Sequence, residues 1–155
     1  MKIGIGCDHA AFHMKEEVAA YLKELGHEVA DFGTHSEKRC DYPIYGEKVA
    51  WAVAEGQVER GVLICGTGVG ISLAANKLPG IRAAVCSEPV TARLSRAHND
   101  VQIIAFGARI VGMETAKAIL DAFLNTPFEG GRHQERLALI SRIEKDIQAA
   151  QAAAD

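Results

Sequence analysis

The chain has 155 residues, of which 48% are hydrophobic and 24% charged, an ordinary composition for one globular domain large enough to bury its own core. A formal net charge of −3 argues against nucleic acid or an anionic membrane as the main partner, so any anion site has to be local. The four cysteines, Cys7, Cys40, Cys65 and Cys86, show no Cys-x-x-Cys spacing; neither a zinc site nor a thioredoxin-type pair is indicated, and reduced thiols in a cytoplasmic protein are expected.

A first strand is expected over residues 2–7, reached with no charged-then-apolar leader. Residues 12–25 carry apolar side chains at helical spacing and are closed by Gly26. A second strand over 27–32 leads into a polar loop, after which Pro43 opens a helix reaching about residue 55. The third strand ends at Cys65, and a helix follows from residue 71. Residues 81–86 read as a fourth strand, 90–97 as a short helix, 101–106 as a fifth strand, and 111–124 and 136–151 as closing helices. No apolar run is long enough to span a membrane. This β-α alternation without repeats or linkers predicts an α/β fold, a three-layer, mostly parallel sheet with helices on both faces. The domain is expected over residues 1–148, with the alanine-rich segment 149–155 fraying.

The third strand carries the strongest chemical signal. Val62, Leu63 and Ile64 form the continuous apolar run of a strand buried on both faces, Cys65 ends it, and Gly66, Gly68 and Gly70 follow at alternate positions. Glycines so spaced let backbone N–H groups converge on a ligand oxygen, and a helix start beyond them favours anions and a thiolate. Cys65 is therefore a base, a nucleophile or a small core residue, and its place at the carboxyl edge of the sheet favours chemistry. Glycine-rich turns also serve as plain tight connections. This one matches no nucleotide fingerprint: Lys77 comes too late for a P-loop, and Gly-x-Gly-x-Gly is not the dinucleotide Gly-x-Gly-x-x-Gly.

Asp8 and His9 follow the first strand and so share the carboxyl edge with the glycine turn. Taken alone, Asp8 also reads as an N-cap and His9 as a surface histidine; co-location makes them candidates. His98-Asn99-Asp100 precedes the fifth strand, at the amino edge, which is wrong for the same pocket in one chain unless a two-fold neighbour brings it in. Arg132 and Arg136 stand four apart, beside His133, on one helical face, an arrangement suited to clamping phosphate and equally to a solvated surface.

In combination, Gly6-Cys7-Asp8-His9, Asp41-Tyr42-Pro43, the stretch 64–72, Ala74-Ala75-Asn76-Lys77, Ser95-Arg96, His98-Asn99-Asp100 and Gly130-Gly131-Arg132-His133 resemble the ribose-5-phosphate isomerase B family, which also includes galactose-6-phosphate and allose-6-phosphate isomerases. The resemblance spans almost the whole chain. It implies a Rossmann-like five-stranded sheet and a homodimer, with a dimer of dimers also open, whose sites combine residues of both subunits.

It also implies roles. Cys65 would take the proton beside the sugar carbonyl to give a cis-enediol. Backbone N–H groups of Gly66, Thr67, Gly68, Val69 and Gly70 would stabilise the enediolate oxygen, a role worth about 3–4 kcal/mol per donor elsewhere. Thr67 would exchange a proton with the substrate oxygens, and His98 would protonate the ring oxygen to open the furanose. Asp8 would hold or deprotonate sugar hydroxyls. His9, Arg132 and Arg136 would hold the phosphate, with Asn99 and Arg109 completing the pocket across the interface. No cofactor or metal enters this scheme, because donors polarise the carbonyl. Cys65 together with Ser72 points to the branch with a cysteine base, since the other branch has glutamate at the latter position. Tyr42, Tyr45 and Val69 are candidates for shaping the pocket. Hexose phosphates remain an alternative substrate class, and a non-catalytic sugar-phosphate sensor is the rival from another class.

Overall fold

The computed structural model describes residues 1–154. Strands β1 (Lys2–Cys7), β2 (Glu28–Asp31), β3 (Arg60–Cys65), β4 (Ala83–Val85) and β5 (Ile103–Gly107) form one sheet in the order β2-β1-β3-β5-β4, with every neighbouring pair parallel. Helices α1 (Phe12–Glu24), α2 (Tyr42–Ala54), α3 (Val69–Ala75), α4 (Pro89–Asn99), α5 (Met113–Asn125) and α6 (Arg132–Ala152) alternate with the strands or follow them. The predicted class and layering are those observed.

Side-chain alternation divides the core. Ile3, Ile5, Val62, Ile64, Ile104 and Phe106 pack with Val18 and Leu22 of α1, Ala92 of α4 and Ile119, Leu120 and Phe123 of α5. Leu63, Cys65, Ile103 and Ala105 face the other way, toward Val49 and Ala50 of α2 and Ile71 and Ala75 of α3. Burial of Phe106 and Phe123, both 0% exposed, contributes about 1.5–3 kcal/mol each. On the α2 side, close approach depends on small residues in the sheet. A Cβ on Gly6 would lie 2.8 Å, and one on Gly61 2.7 Å, from methyl carbons of Val49.

Lys15 of α1 is the largest fully buried side chain. Its Nζ donates to Asp31 Oδ2 at 2.6 Å and to the Thr34 carbonyl at 3.0 Å, and lies 2.8 Å from Glu16 Oε1, so its charge is compensated on all sides. Burial pulls its pKa down, but the hydrogen bonds to Asp31 and Glu16 prevail and raise it. The lysine thereby pins the loop after β2, which leads toward the site.

Several predicted boundaries move. The helix after β3 begins at Val69, before residue 71. Strand β4 is shorter than 81–86, because only its middle residues make the ladder while Ile81 and Cys86 are buried as flanking core. Helix α6 begins at Arg132, not residue 136, and stays helical to Ala152 through the alanine-rich segment, consistent with alanine's high helix propensity. Neighbouring β1 and β3 send their following helices to opposite faces, which opens a crevice at their carboxyl ends.

Candidate active site

A cavity of about 490 Å³ occupies that crevice, lined by Asp8, His9, Ala10, Tyr42, Cys65, Gly66, Thr67, Val69, Gly70, Leu73 and Arg109. Asp8 leaves β1 in extended geometry, and its Oδ1 accepts the Ala10 N–H at 3.0 Å, capping the 3-10 turn His9–Ala11. Its two readings are therefore compatible: the carboxylate caps a turn and lines the cavity. His9 turns Nδ1 to the Cys40 backbone, 3.2 Å from both its N–H and its carbonyl oxygen. This leaves Nε2 on the opposite side of the ring.

Cys65 is 4% exposed, and its Sγ accepts the Gly68 N–H at 3.1 Å, a contact that strengthens when sulfur carries charge. Gly68 makes it with φ of 80° at the start of α3. A side chain there would be strained, and a Cβ would also come within 2.7 Å of the Phe106 carbonyl carbon. Thr67 Oγ1 accepts the Val69 N–H at 3.3 Å, and Ser72 Oγ donates to the Val69 carbonyl at 2.8 Å. The glycine turn is thus internally braced, with the thiol at its centre. Burial pushes the thiols of Cys7 and Cys86 each up to about 12, which makes them inert packing residues.

Arg109 arrives from the loop after β5, where the Ala108 N–H donates to the Cys65 carbonyl at 2.8 Å and the Arg109 N–H to the Gly66 carbonyl at 3.1 Å. Its Nη1 lies 3.3 Å from where a Cβ on Gly66 would stand. It was expected across an interface, yet it lines the cavity of its own chain, because β5 inserts beside β3. Tyr42 and Val69 line the cavity as expected, whereas Tyr45 lies beside a different hollow with Asp31, Thr34 and Lys48. Leu73 was not foreseen; its signal was an apolar residue one turn after Val69, off the core face of α3.

His98, Asn99, Arg132 and Arg136 do not line this cavity. They gather where the end of α4 meets the start of α6. Buried Arg96 donates to Asp100 Oδ1 at 2.8 Å and to the Val101 carbonyl at 2.7 Å, bracing the left-handed Asp100 that ends α4. Arg82 Nε donates to the Asn99 carbonyl at 2.8 Å. The His98 and His133 rings are stacked, with centroids 4.2 Å apart, and Glu129 stands beside both. Burial, then the charges of His98 and Arg132, push the His133 imidazole below its usual value. Gly131 supplies no side-chain cap to α6.

An open parallel sheet with a thiol, a carboxylate and a backbone cradle at its carboxyl edge defines an α/β protein built to act on a small anionic ligand. A family profile described as Ribose/Galactose Isomerase matches residues 3–140. The chain is 59% identical to ribose-5-phosphate isomerase B of Escherichia coli over 93% of its own length and 97% of that protein. It is 42% identical to the galactose-6-phosphate isomerase subunit LacB of Clostridium acetobutylicum, covering 88% of this chain and 79% of that one. The structure of Clostridium thermocellum ribose-5-phosphate isomerase B superposes with a TM-score of 0.94 at 54% identity, covering 95% and 99% of the two chains. That of the Mycoplasma genitalium enzyme with bound ribulose 5-phosphate gives 0.89 at 38% identity, covering 93% and 96%. The chain belongs to the ribose/galactose isomerase family.

Proposed function

We propose that the protein interconverts ribose 5-phosphate and ribulose 5-phosphate as a metal-independent isomerase, in sites shared between the two subunits of a cytoplasmic homodimer. The observation that carries this reading is the Cys65 cavity, where Asp8, Thr67, Arg109 and the glycine turn converge and the Gly68 N–H contacts Sγ.

His98 of the facing subunit protonates the ring oxygen while Asp8 takes the proton of the anomeric hydroxyl, giving the open aldehyde. Cys65 thiolate removes the proton from C2, and the electron pair moves into a C1–C2 double bond as the carbonyl oxygen becomes an enediolate held by turn N–H groups. Thr67 relays the hydroxyl proton between the substrate oxygens, and Cys65 returns its proton to C1. His9, Asn99, Arg109, Arg132 and Arg136 bind the phosphate and fix the sugar's position.

The two-subunit assembly is supported by the separation of His98, Arg132 and Arg136 from the cavity. Exposed apolar side chains support it further: Tyr42, Val69 and Leu73 at the cavity, and Leu139, Ile140, Ile143 and Ile147 along α6 are all at least 40% exposed. The free thiols Cys7, Cys40, Cys65 and Cys86 fit a reducing compartment, and among the described residues no helix is long and apolar enough to cross a membrane.

The test is turnover of ribose 5-phosphate by chelator-treated protein, beside Cys65→Ala and with allose 6-phosphate as comparator. Pentose turnover that falls by at least about 10²-fold in the variant is expected. Preference for the hexose would reassign the substrate, and binding without turnover of either sugar would refute catalysis.

A further inference from the structure

The stacked pair outside the cavity has a geometry of its own. His98 sits in the last turn of α4 and His133 in the first turn of α6, and their ring planes are within 10° of parallel at a centroid distance of 4.2 Å. Glu129 is anchored by its N–H, which donates to the Ala97 carbonyl at 3.0 Å. Its Oε2 lies 3.9 Å from Nε2 of His98 and 3.5 Å from Nε2 of His133. His133 is 5% exposed, whereas the His98 side chain is 36% exposed.

We propose that His133, together with Glu129, is a positioning pair that holds the His98 ring in place as the proton donor for opening the cyclic sugar. The proposal rests on the role given to His98 above. A partly exposed side chain at a helix end has rotamer freedom, and a general acid loses rate steeply when displaced by about 1 Å. The buried His133 ring offers a fixed plane that restricts the outer ring to one orientation. Glu129 Oε2, 3.9 Å from Nε2 of His98, lies beyond hydrogen-bonding distance, so the ring can still donate to substrate.

Charge reinforces the arrangement. Arg132 and Arg136 disfavour the charged form of His133, and Glu129 opposes them. Burial and neighbouring positive charge hold His133 below its ordinary pKa, with His98 stacked on it and Glu129 beside both. The same three side chains bring ligand atoms within 4.8 Å of one another, as a metal site would. Nearly parallel rings, however, direct their nitrogen lone pairs side by side and not at one point, which suits stacking and opposes chelation.

Steady-state turnover of ribose 5-phosphate, with protium or deuterium at C2, tests this in His133→Ala and His133→Phe, with His98→Asn in parallel. His133→Ala should lose on the order of 10²-fold in kcat. His133→Phe keeps an aromatic face, cannot ligate metal, and should recover most of the rate. The C2 isotope effect in either variant should be no larger than in the wild type, since slower ring opening can only mask C–H cleavage. An undiminished rate in His133→Ala, equal losses in the two variants, or an enlarged isotope effect would overturn the proposal. If the alanine variant fails to fold, His133→Phe decides alone: a retained rate supports stacking, and a loss on the order of 10²-fold refutes it. Wild-type turnover by His98→Asn would instead remove the ring-opening role itself.

Discussion

The proposed sharing of the active site predicts complementation between two inactive variants. Cys65 lies in the cavity with Asp8, whereas His98 lies outside it at the junction of α4 and α6. A homodimer with two-fold symmetry then has two sites, each pairing the cavity of one subunit with His98 of the other. Cys65→Ala and His98→Asn homodimers each lack a group at both sites. When they are mixed and allowed to exchange subunits, about half the dimers become heterodimers, and each heterodimer has one site with Cys65 and His98 both intact. Activity should therefore rise to about a quarter of the wild-type value. Mixing Cys65→Ala with Asp8→Asn is the control, because both residues belong to the same cavity and no heterodimer regains a complete site. The assay is isomerisation measured alongside native mass spectrometry of differently tagged subunits. Heterodimers present in the expected proportion with activity no higher than the parents would refute the shared site, and recovery in the control pair would refute the assignment of Asp8 and Cys65 to one cavity.

Gly68→Ala should lower stability by about 1–2 kcal/mol for the left-handed φ alone, with a further loss from the 2.7 Å approach to Phe106. For a domain of this size that is roughly 2–4 °C in Tm per kcal/mol, and an unchanged melting curve would refute the geometry drawn for the turn. The depressed pKa of His133 predicts acid sensitivity. The folded state binds this proton less readily than the unfolded chain, so the contribution is present above the unfolded value of about 6.5 and lost as pH falls through the folded one. His98, Glu129, Arg132 and Arg136 are the charged or titratable neighbours that set the size of the effect. Urea unfolding of wild type and His133→Phe between pH 7 and pH 5 should show the variant losing less stability; parallel losses would refute the assignment.

Much of this architecture was legible from local signals. Strand and helix periodicity, Gly26 after α1 and Pro43 at the start of α2 act over a few residues, so the alternation of elements and the carboxyl-edge placement of Asp8, His9 and the Cys65 turn followed from them. Those three features meet in the structure because parallel strands β1 and β3 are neighbours in register, with Cys7 opposite Ile64. Boundaries were less legible: Arg132 opens α6 after two glycines of positive φ, Gly130 and Gly131, which composition alone does not distinguish from a longer loop.

Long-range contacts belonged to the tertiary structure. Strand β5 lies between β3 and β4, and this insertion, invisible to any local pattern, carries Arg109 over Gly66 and into the cavity of its own chain. The stacking of His98 on His133 joins the ends of two helices separated by a strand and a further helix. Leu139, Ile140, Ile143 and Ile147 of α6 stand exposed because the inner layers are already filled by α4 and α5. The physical reason is the range of the forces. Backbone sterics, capping and side-chain period are decided by neighbours along the chain, whereas which surfaces meet depends on how all the layers jointly exclude water.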